Sequence, residues 1–408
     1  MNVTIQPTLL NGRVRSPSSK SQGHRLLLAA ALAQAESVIK GLSDSKDIQA
    51  TLSCIRALGA RVEQQKDGLH VVGRGGGFDD SQPLFLDCGE SGSTLRFLIP
   101  IALAVAGGGS FTGHGRLMER PLKPYFDIFD QKDIYYARMG DRAGLEGRLT
   151  PGDYCLPGDV SSQFVTGLLY ALPLLEGDSR IVITTALESR AYVDMTLDAL
   201  RQFGVHACWQ DEQTLLVPGN QKYRACAVTV EGDWSQAAFW YAARALGSDV
   251  TVGGLSESSA QGDRVIAQQY QQLTAPGDVE LDVAQCPDLV PALGAMAAVR
   301  RGTTRIVNAA RLRIKESDRL AAVTQVLNAM GAQVTELHDG LVITGRDSLA
   351  GGVSVDSHND HRIAMMAAVA ATRCEKPVVV LGGQCVAKSY PNFWEDYRAL
   401  GGDIRCRD

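Results

Sequence analysis

Residues 311–319 bring four cations and two carboxylates together immediately before an apolar run. Their spacing predicts that Lys315 and Arg319 share one face of a helical turn, with Glu316 on the neighbouring face. Cations in this arrangement can bind an anionic substrate, and a carboxylate beside them can transfer a proton. A solvated helix with internal ion pairs is the alternative that this segment by itself leaves open.

Four further polar segments, at 17–25, 88–96, 157–164 and 356–362, introduce apolar helices. Three of these helices are predicted over 26–35, 165–175 and 363–371. A helix start offers free amides, hydroxyl groups and the positive end of the helix dipole to an anion. One such start is usually an ordinary N-cap, but several here also carry a cation, including Lys20, Arg25 and Arg362. We therefore expect local anion-binding sites.

The elements that must position these residues repeat along the chain. A helical pattern that ends at a glycine and continues into a strand recurs at Gly59, Gly204, Gly331 and Gly401. Glycine suits the left-handed position that ends a helix. A period of about 70 residues would give about six units of alternating helices and strands, as in an α/β or α+β protein. The copy at 126–148 is poor, and a solenoid of stacked repeats is the alternative.

The composition limits the possible classes of function. The chain has 408 residues, of which 45% are hydrophobic and 21% charged, which predicts a globular protein of two or three domains. A formal net charge of −5 does not favour a nucleic-acid partner. Nine cysteines without Cys-x-x-Cys spacing favour reduced thiols in the cytoplasm. The longest apolar run, 26–33, is too short to span a membrane.

Common cofactor and hydrolase motifs are missing from the sequence. It contains no phosphate loop, dinucleotide fingerprint, His-Glu-x-x-His zinc motif or Gly-x-Ser-x-Gly nucleophile elbow. His358 and His361 could contribute two metal ligands, but no third ligand accompanies them. We therefore interpret His361 as an active-site donor beside Arg362, and expect no metal.

Five segments, in order along nearly the whole chain, resemble the 5-enolpyruvylshikimate-3-phosphate synthase (EPSP synthase) family. They are Lys20-Ser21 with Arg25, 161–164, 313–319, 359–362 and 385–391. The resemblance implies an α/β (α+β) protein with the enolpyruvyl transferase fold: two similar domains, each of three βαβαββ units. Residues 1–15 and 231–408 would form the first domain and 16–230 the second, with the active site in the interdomain cleft.

The reaction implied by the resemblance is transfer of the enolpyruvyl group of phosphoenolpyruvate to the 5-hydroxyl of shikimate 3-phosphate. Phosphate is released through a tetrahedral intermediate, with no metal or organic cofactor. The two substrates would be the partners of a cytoplasmic monomer that binds neither nucleic acid nor membrane.

The resemblance also assigns residues to the two substrates. For shikimate 3-phosphate they are Lys20, Ser21, Arg25, Ser161, Ser162, Gln163, Ser189, Tyr192, Asp288 and Lys315. For phosphoenolpyruvate they are Lys20, Gly92, Arg120, Gln163, Arg319, Arg362 and Lys388.

Five of the matched residues are expected to act in catalysis. Glu316 would protonate the methylene carbon, and Asp288 would take the proton of the 5-hydroxyl. Charge on the departing phosphate would be stabilised by Lys20, His361 and Lys388.

Two alternatives share this fold. One is the enolpyruvyl transferase that acts on UDP-N-acetylglucosamine, which typically has a Gly-Ala-Lys-Asn turn and a loop with a reactive cysteine. Here the turn is Ser18-Ser19-Lys20-Ser21, and no cysteine occurs between Gly89 and Tyr154. The other is a non-catalytic anion-binding protein. Ser18, Glu90 and Arg311 depart from residues frequent in the EPSP synthase family.

Overall fold

The computed structural model describes residues 1–75 and 83–407. The chain divides into two compact units. Met1–Pro17 and Gly232–Asp408 form unit 1, and Ser18–Glu231 form unit 2. Within the described ranges, none of the helices has the length and apolar character needed to cross a lipid bilayer.

The strands are short and are numbered here in chain order. They are β1 (Asn2–Ile5), β2 (Asn11–Arg15), β3 (Glu36–Lys40), β4 (Arg61–Gln65), β5 (Gly68–Val72), β6 (Phe85–Asp87), β7 (Gly108–Thr112), β8 (Tyr135–Met139), β9 (Arg142–Glu146), β10 (Gly152–Leu156), β11 (Ser179–Ile183), β12 (Cys208–Trp209), β13 (Thr214–Val217), β14 (Ala227–Thr229), β15 (Asp249–Gly253), β16 (Val279–Asp282), β17 (Thr303–Val307), β18 (Gln333–Leu337), β19 (Gly340–Thr344), β20 (Leu349–Gly351), β21 (Ser354–Asp356), β22 (Cys374–Lys376), β23 (Val378–Leu381) and β24 (Ile404–Arg407).

The α-helices alternate with these strands. They are α1 (Lys20–Leu32), α2 (Lys46–Ala57), α3 (Gly92–Val105), α4 (Lys123–Gln131), α5 (Ser162–Ala171), α6 (Arg190–Gln202), α7 (Trp234–Ala245), α8 (Ile266–Thr274), α9 (Val290–Ala298), α10 (Arg319–Ala329), α11 (His361–Ala371) and α12 (Phe393–Ala399).

Unit 2 contains three four-stranded sheets with the same plan. Their strand orders are β14-β3-β5-β4, β6-β7-β9-β8 and β10-β11-β13-β12. In each sheet the first pair is parallel and the next two pairs are antiparallel. Helices α1, α3, α5 and α6 contact one another in the core of this unit.

Unit 1 repeats the plan in two sheets, β16-β17-β19-β18 and β21-β23-β1-β24, and adds the parallel pairs β2-β15 and β20-β22. The N-terminal strand β1 lies between β23 and β24, and Val3 is paired in register with Val380 on one side and Cys406 on the other. Every residue of α9 and of α11 is buried. A helix that is buried on all sides is held by its neighbours, and the position of its N-terminus is therefore fixed.

The expected fold class is confirmed, and the solenoid alternative is not supported. In a solenoid each repeat contacts only its neighbours, whereas β1 pairs with β23 and β3 with β14. The four repeat glycines all have the expected positive φ, from 73° to 102°.

The poor copy at 126–148 is in fact a complete unit, with α4 followed by the β8-β9 hairpin. Asp133, with a φ of 53°, follows α4 at the left-handed position that glycine occupies in the other copies. Aspartate tolerates this conformation, so this copy has the same structure as the others although its sequence has no glycine at the end of the helix.

Candidate active site

Lys20 is the first residue of α1 in unit 2. The side chain of Ser19 caps the helix by accepting a hydrogen bond from the Gln22 amide. Lys20 Nζ donates to Asp47 Oδ2 at 2.7 Å, and both side chains are largely buried. The ammonium group is therefore held at a helix start, where the helix dipole also favours an anion.

Gly92 begins α3 and lies beside three polar side chains. A Cβ at this position would lie 2.7 Å from Arg120 Nη1 and 3.6 Å from both Arg96 Nη1 and Gln163 Oε1. Arg96 Nη1 donates to Gln163 Oε1 at 2.7 Å, and Gln163 Nε2 donates to Ser93 Oγ at 2.9 Å. Two guanidinium groups and an amide thus surround a backbone that lacks a side chain, which suits close approach of an anion.

Arg25 is buried between helices of unit 2. Its Nε donates to Thr196 Oγ1 at 2.9 Å, Nη1 to Ser21 O at 2.7 Å, and Nη2 to Tyr192 O at 2.8 Å. Burial lowers the pKa of the guanidinium group. These contacts tie α1 to α6, so Arg25 fixes the positions of Ser21 and Tyr192.

Two helix starts carry the predicted serines. Ser161 caps α5 by accepting from the Gln163 amide, and the next residue, Ser162, is buried. Ser189 precedes α6 with a φ of 57°, a left-handed conformation that costs a non-glycine residue on the order of 1 kcal/mol. Such strain points to a constraint on the start of α6, which also carries Tyr192.

In unit 1, three cations surround one carboxylate. Asp288 Oδ1 accepts from Lys315 Nζ at 3.2 Å and from Arg319 Nη1 at 2.9 Å, and Oδ2 accepts from Arg362 Nη2 at 3.3 Å. Burial acts to raise the pKa of Asp288, but Lys315, Arg362 and Arg319 together outweigh it and hold the pKa well below the usual range. Burial also lowers the pKa of Lys315.

Arg319 is almost wholly buried and joins three carboxylates. Its Nε donates to Asp360 Oδ2 at 2.8 Å, Nη2 to Glu316 Oε2 at 2.6 Å, and Nη1 to Asp288. Burial opposes the charged form, but Asp360, Glu316 and Asp288 together raise the pKa of Arg319 above its ordinary value. The arginine therefore holds Glu316 and Asp288, the two proposed proton-transfer groups, on one guanidinium.

The remaining residues lie at the start of α11 and just beyond β23. Asp360 caps α11, His361 is its first residue, and both are buried. Arg362 Nη1 donates to Asp288 O at 3.0 Å. Lys388 ends a 3₁₀ helix over Gly383–Lys388, and its Nζ donates to Asn359 O at 2.6 Å. His361, Arg362 and Lys388 are therefore placed around the start of one buried helix.

One prediction about this site is wrong. Lys315 and Arg319 do not share a helical turn, because α10 begins at Arg319 with Asp318 as its cap, and Lys315 has an extended backbone. A 3₁₀ helix over Ala310–Ile314 precedes them. The two cations nevertheless meet at Asp288, which tertiary folding supplies from a distant part of the sequence.

The predicted site residues thus form two groups, each inside one unit. Unit 2 holds Lys20, Ser21, Arg25, Gly92, Arg120, Ser161, Ser162, Gln163, Ser189 and Tyr192; unit 1 holds Asp288, Lys315, Glu316, Arg319, His361, Arg362 and Lys388. Sequence reasoning did not assign Arg96, Asp47 or Asp360. Arg96 lies four residues after Gly92 and so shares its helix face, which was a usable signal.

Comparison with known proteins places this chain in a family. Residues 5–397 match the family model described as EPSP synthase (3-phosphoshikimate 1-carboxyvinyltransferase). The chain belongs to the EPSP synthase family. The resemblance inferred from the five motifs is confirmed.

Relatives and solved structures of EPSP synthases agree with this assignment. The chain is 47% identical to a 3-phosphoshikimate 1-carboxyvinyltransferase of Clostridium kluyveri over 98% of both chains, and 46% identical to one of Clostridium perfringens strain 13 over 99% of both. It is similar to the EPSP synthase structure from Acinetobacter baumannii, with a TM-score of 0.81 and 25% identity over 99% of this chain and 100% of that one.

The enolpyruvyl transferase NikO from Streptomyces tendae shares the fold, with a TM-score of 0.79 and 19% identity over 99% of this chain and 98% of that one. The family model and the Clostridium relatives favour EPSP synthase over the sugar-nucleotide alternative.

Proposed function

We propose that the two groups of residues act together on one pair of substrates, phosphoenolpyruvate and shikimate 3-phosphate. The enolpyruvyl group is transferred to the 5-hydroxyl of shikimate 3-phosphate, and phosphate is released. The observation that carries this assignment is the Arg319 cluster, which holds Glu316 at 2.6 Å and Asp288 at 2.9 Å on one buried guanidinium. Addition across a double bond needs one group that gives a proton and one that takes a proton, and this cluster holds two carboxyl groups for these two roles.

Binding is electrostatic. Both substrates are phosphorylated carboxylates, and two unit charges of like sign about 7 Å apart repel by roughly 2 kcal/mol at an effective dielectric near 20. Arginine forks suit carboxylate and phosphate because they can donate two parallel hydrogen bonds. We assign the 3-phosphate of shikimate to Ser161, Ser162 and Ser189, and phosphoenolpyruvate to the surroundings of Gly92 with Arg120, Arg362 and Lys388.

The chemistry follows from the two carboxyl groups. The 5-hydroxyl oxygen bonds to C2 of phosphoenolpyruvate while Asp288 takes its proton and Glu316 protonates C3. In the resulting tetrahedral intermediate, Glu316 takes a proton back from C3 while the C2–O bond to phosphate breaks, which forms the product double bond. The leaving phosphate takes the proton held by Asp288. Lys20, His361 and Lys388 stabilise the negative charge that collects on the leaving phosphate.

Asp288 can serve as a base only after its surroundings change. Three cations hold its pKa low, and a carboxylate with a low pKa is a weak proton acceptor. Substrate anions that take hydrogen bonds from Arg362, Lys315 or Arg319 would weaken these contacts. The pKa of Asp288 would then rise toward the value that proton transfer needs, so binding would itself activate the base.

We further propose that the enzyme is a cytoplasmic monomer. All nine cysteines lie in the described ranges, and none of them is paired in a disulfide. Unpaired thiols accord with a reducing compartment.

A single assay tests the function. Phosphate release from phosphoenolpyruvate is measured with shikimate 3-phosphate, with UDP-N-acetylglucosamine and with neither. We expect release only with shikimate 3-phosphate. Release only with the sugar nucleotide would support the sister transferase. If no phosphate is released with either acceptor, although the anions bind tightly, the result would support a binding protein.

A further inference from the structure

Helices α1 and α2 are joined by two polar contacts that repeat at a spacing of one helical turn. Lys20 Nζ donates to Asp47 Oδ2 at 2.7 Å. Four residues further along each helix, His24 Nδ1 and Thr51 Oγ1 are hydrogen-bonded, also at 2.7 Å. Residues four apart lie one above the other on a helix face, so the second contact directly backs the first.

The second contact continues into α3. Thr51 Oγ1 is hydrogen-bonded to Thr94 Oγ1 at 2.7 Å, and Thr94 Oγ1 donates to Ser91 Oγ at 2.7 Å. Ser91 is the cap of α3, whose first residue is Gly92. His24, Thr51, Thr94 and Ser91 are each at most 1% exposed. A continuous buried chain of hydrogen bonds therefore runs from beside Lys20 to the cap that precedes Gly92.

We propose that His24, Thr51, Thr94 and Ser91 form a positioning network that sets Lys20 and the start of α3 at fixed places in the substrate site. The inference rests on the proposed roles of Lys20 and Gly92 in binding. None of the four side chains needs to touch a substrate, so they are positioning residues and not catalytic ones.

The physical basis of the network is its burial. Water cannot replace a hydrogen bond at a site that is closed to solvent, so loss of one link leaves a polar group unsatisfied. Burial lowers the pKa of His24, and the nearby charges of Lys20 and Arg25 lower it further. A neutral imidazole can link the helices without adding a third positive charge beside those two cations.

Close helix packing supports the same contacts. A Cβ at Gly23 would lie 2.9 Å from Leu42 Cδ1 and 3.1 Å from Ile48 Cδ1. The absence of a side chain at Gly23 lets α1 approach the start of α2, where Asp47 lies. This approach brings His24 within reach of Thr51.

The test removes the central hydroxyl while keeping the side-chain shape. Thr51→Val deletes the links to both His24 and Thr94, and Thr51→Ser keeps the hydroxyl. Thr112→Val is the matched control, because Thr112 is also buried in unit 2 and its hydroxyl donates to Asp141 O at 3.0 Å. We expect T51V to raise KM for both substrates about tenfold, with T51S within twofold of wild type and T112V changing Tm but not KM.

A double mutant separates positioning from general destabilisation. If Thr51 acts in part through Lys20, T51V added to Lys20→Ala will raise KM by less than the tenfold expected in the wild-type background, because the contact of Lys20 is already gone and only the effect on the start of α3 remains. A T51V variant with lowered Tm but wild-type KM would overturn the proposal, as would full additivity of the two substitutions. Wild-type KM values in K20A alone would instead overturn the binding role of Lys20.

A second variant covers the case in which T51V does not fold. His24→Leu leaves the Thr51 hydroxyl in place but removes the Nδ1 partner of that hydroxyl, and we expect a rise in KM in the same direction. Wild-type KM values in folded H24L would contradict the network independently of T51V.

Discussion

Glu316 is the residue on which the proposed chemistry depends most directly. Glu316→Gln keeps the size of the side chain and a hydrogen-bond acceptor for Arg319, but the amide cannot deliver a proton to carbon. We expect kcat to fall by about 10²- to 10⁴-fold while both substrates still bind within a few-fold of wild type. Steady-state kinetics and calorimetric titration of each substrate measure the two effects.

A matched control exists in the same unit. Glu336 accepts a hydrogen bond from Arg313 Nη1 at 2.8 Å and is part of no proposed substrate contact. Glu336→Gln is expected to keep wild-type kcat. Unimpaired turnover in E316Q would remove Glu316 from its assigned role, whereas equal loss in both variants would indicate a general electrostatic effect.

Gly92 tests the phosphoenolpyruvate site. A Cβ there would come within 2.7 Å of Arg120 Nη1, which forces the guanidinium to move. We expect Gly92→Ala to raise KM for phosphoenolpyruvate about tenfold or more, with KM for shikimate 3-phosphate changed less. Gly144→Ala is the control, since no atom of residues 1–75 and 83–407, apart from Gly144 and its two chain neighbours, lies within 4 Å of a Cβ at that position. Equal effects of G92A on both substrates would argue against a site specific to phosphoenolpyruvate.

At the scale of secondary-structure elements, three helix starts meet at one ion cluster. Asp288 lies two residues before α9, Arg319 begins α10 and Arg362 lies in the first turn of α11. The low pKa of Asp288 means that its charged form stabilises the folded state. This contribution is fully present above the unfolded pKa of about 3.9 and is lost as the pH falls through the lower, folded pKa.

Asp288→Asn should therefore change how stability depends on pH. We expect the variant to be less stable at pH 7 by about 3 kcal/mol, because three cations lose their shared carboxylate. The difference from wild type should shrink as the pH falls below about 4. Urea unfolding followed by tryptophan fluorescence suits unit 1, which contains Trp234, Trp240 and Trp394. A constant difference between the two proteins from pH 7 to pH 2 would contradict this account.

Element boundaries were only partly predictable from sequence. The helices predicted over 26–35, 165–175 and 363–371 begin at Lys20, Ser162 and His361. The polar first turns were interpreted as loops, but each helix begins directly after its capping residue. The caps are Ser19, Ser161 and Asp360. The prediction for Lys315 failed for the opposite reason. The four-residue spacing of Lys315 and Arg319 suggested a helix, but the helix begins only after its cap, Asp318. In both cases, the capping residue was the better signal.

For the whole molecule, the sequence predicted the repeated helix–strand unit but did not predict which strands pair with each other. Glycines such as Gly59 and Gly331 marked the ends of helices, and so revealed the repeated unit. The pairing of β1 with β23 and of β2 with β15 joins segments hundreds of residues apart, and short strands carry no local signal for such partners. The carboxylate partners of the site cations, Asp47 and Asp360, were missed because only tertiary folding brings them close.

The central claim is that residues of both units serve one pair of substrates. Hydrogen–deuterium exchange with phosphoenolpyruvate and shikimate 3-phosphate together, using E316Q to prevent turnover, tests it most directly. We predict slower exchange in 18–25, 88–96 and 157–163 of unit 2 and in 311–319 and 356–362 of unit 1. Protection confined to the segments of a single unit, with both substrates bound, would contradict the account.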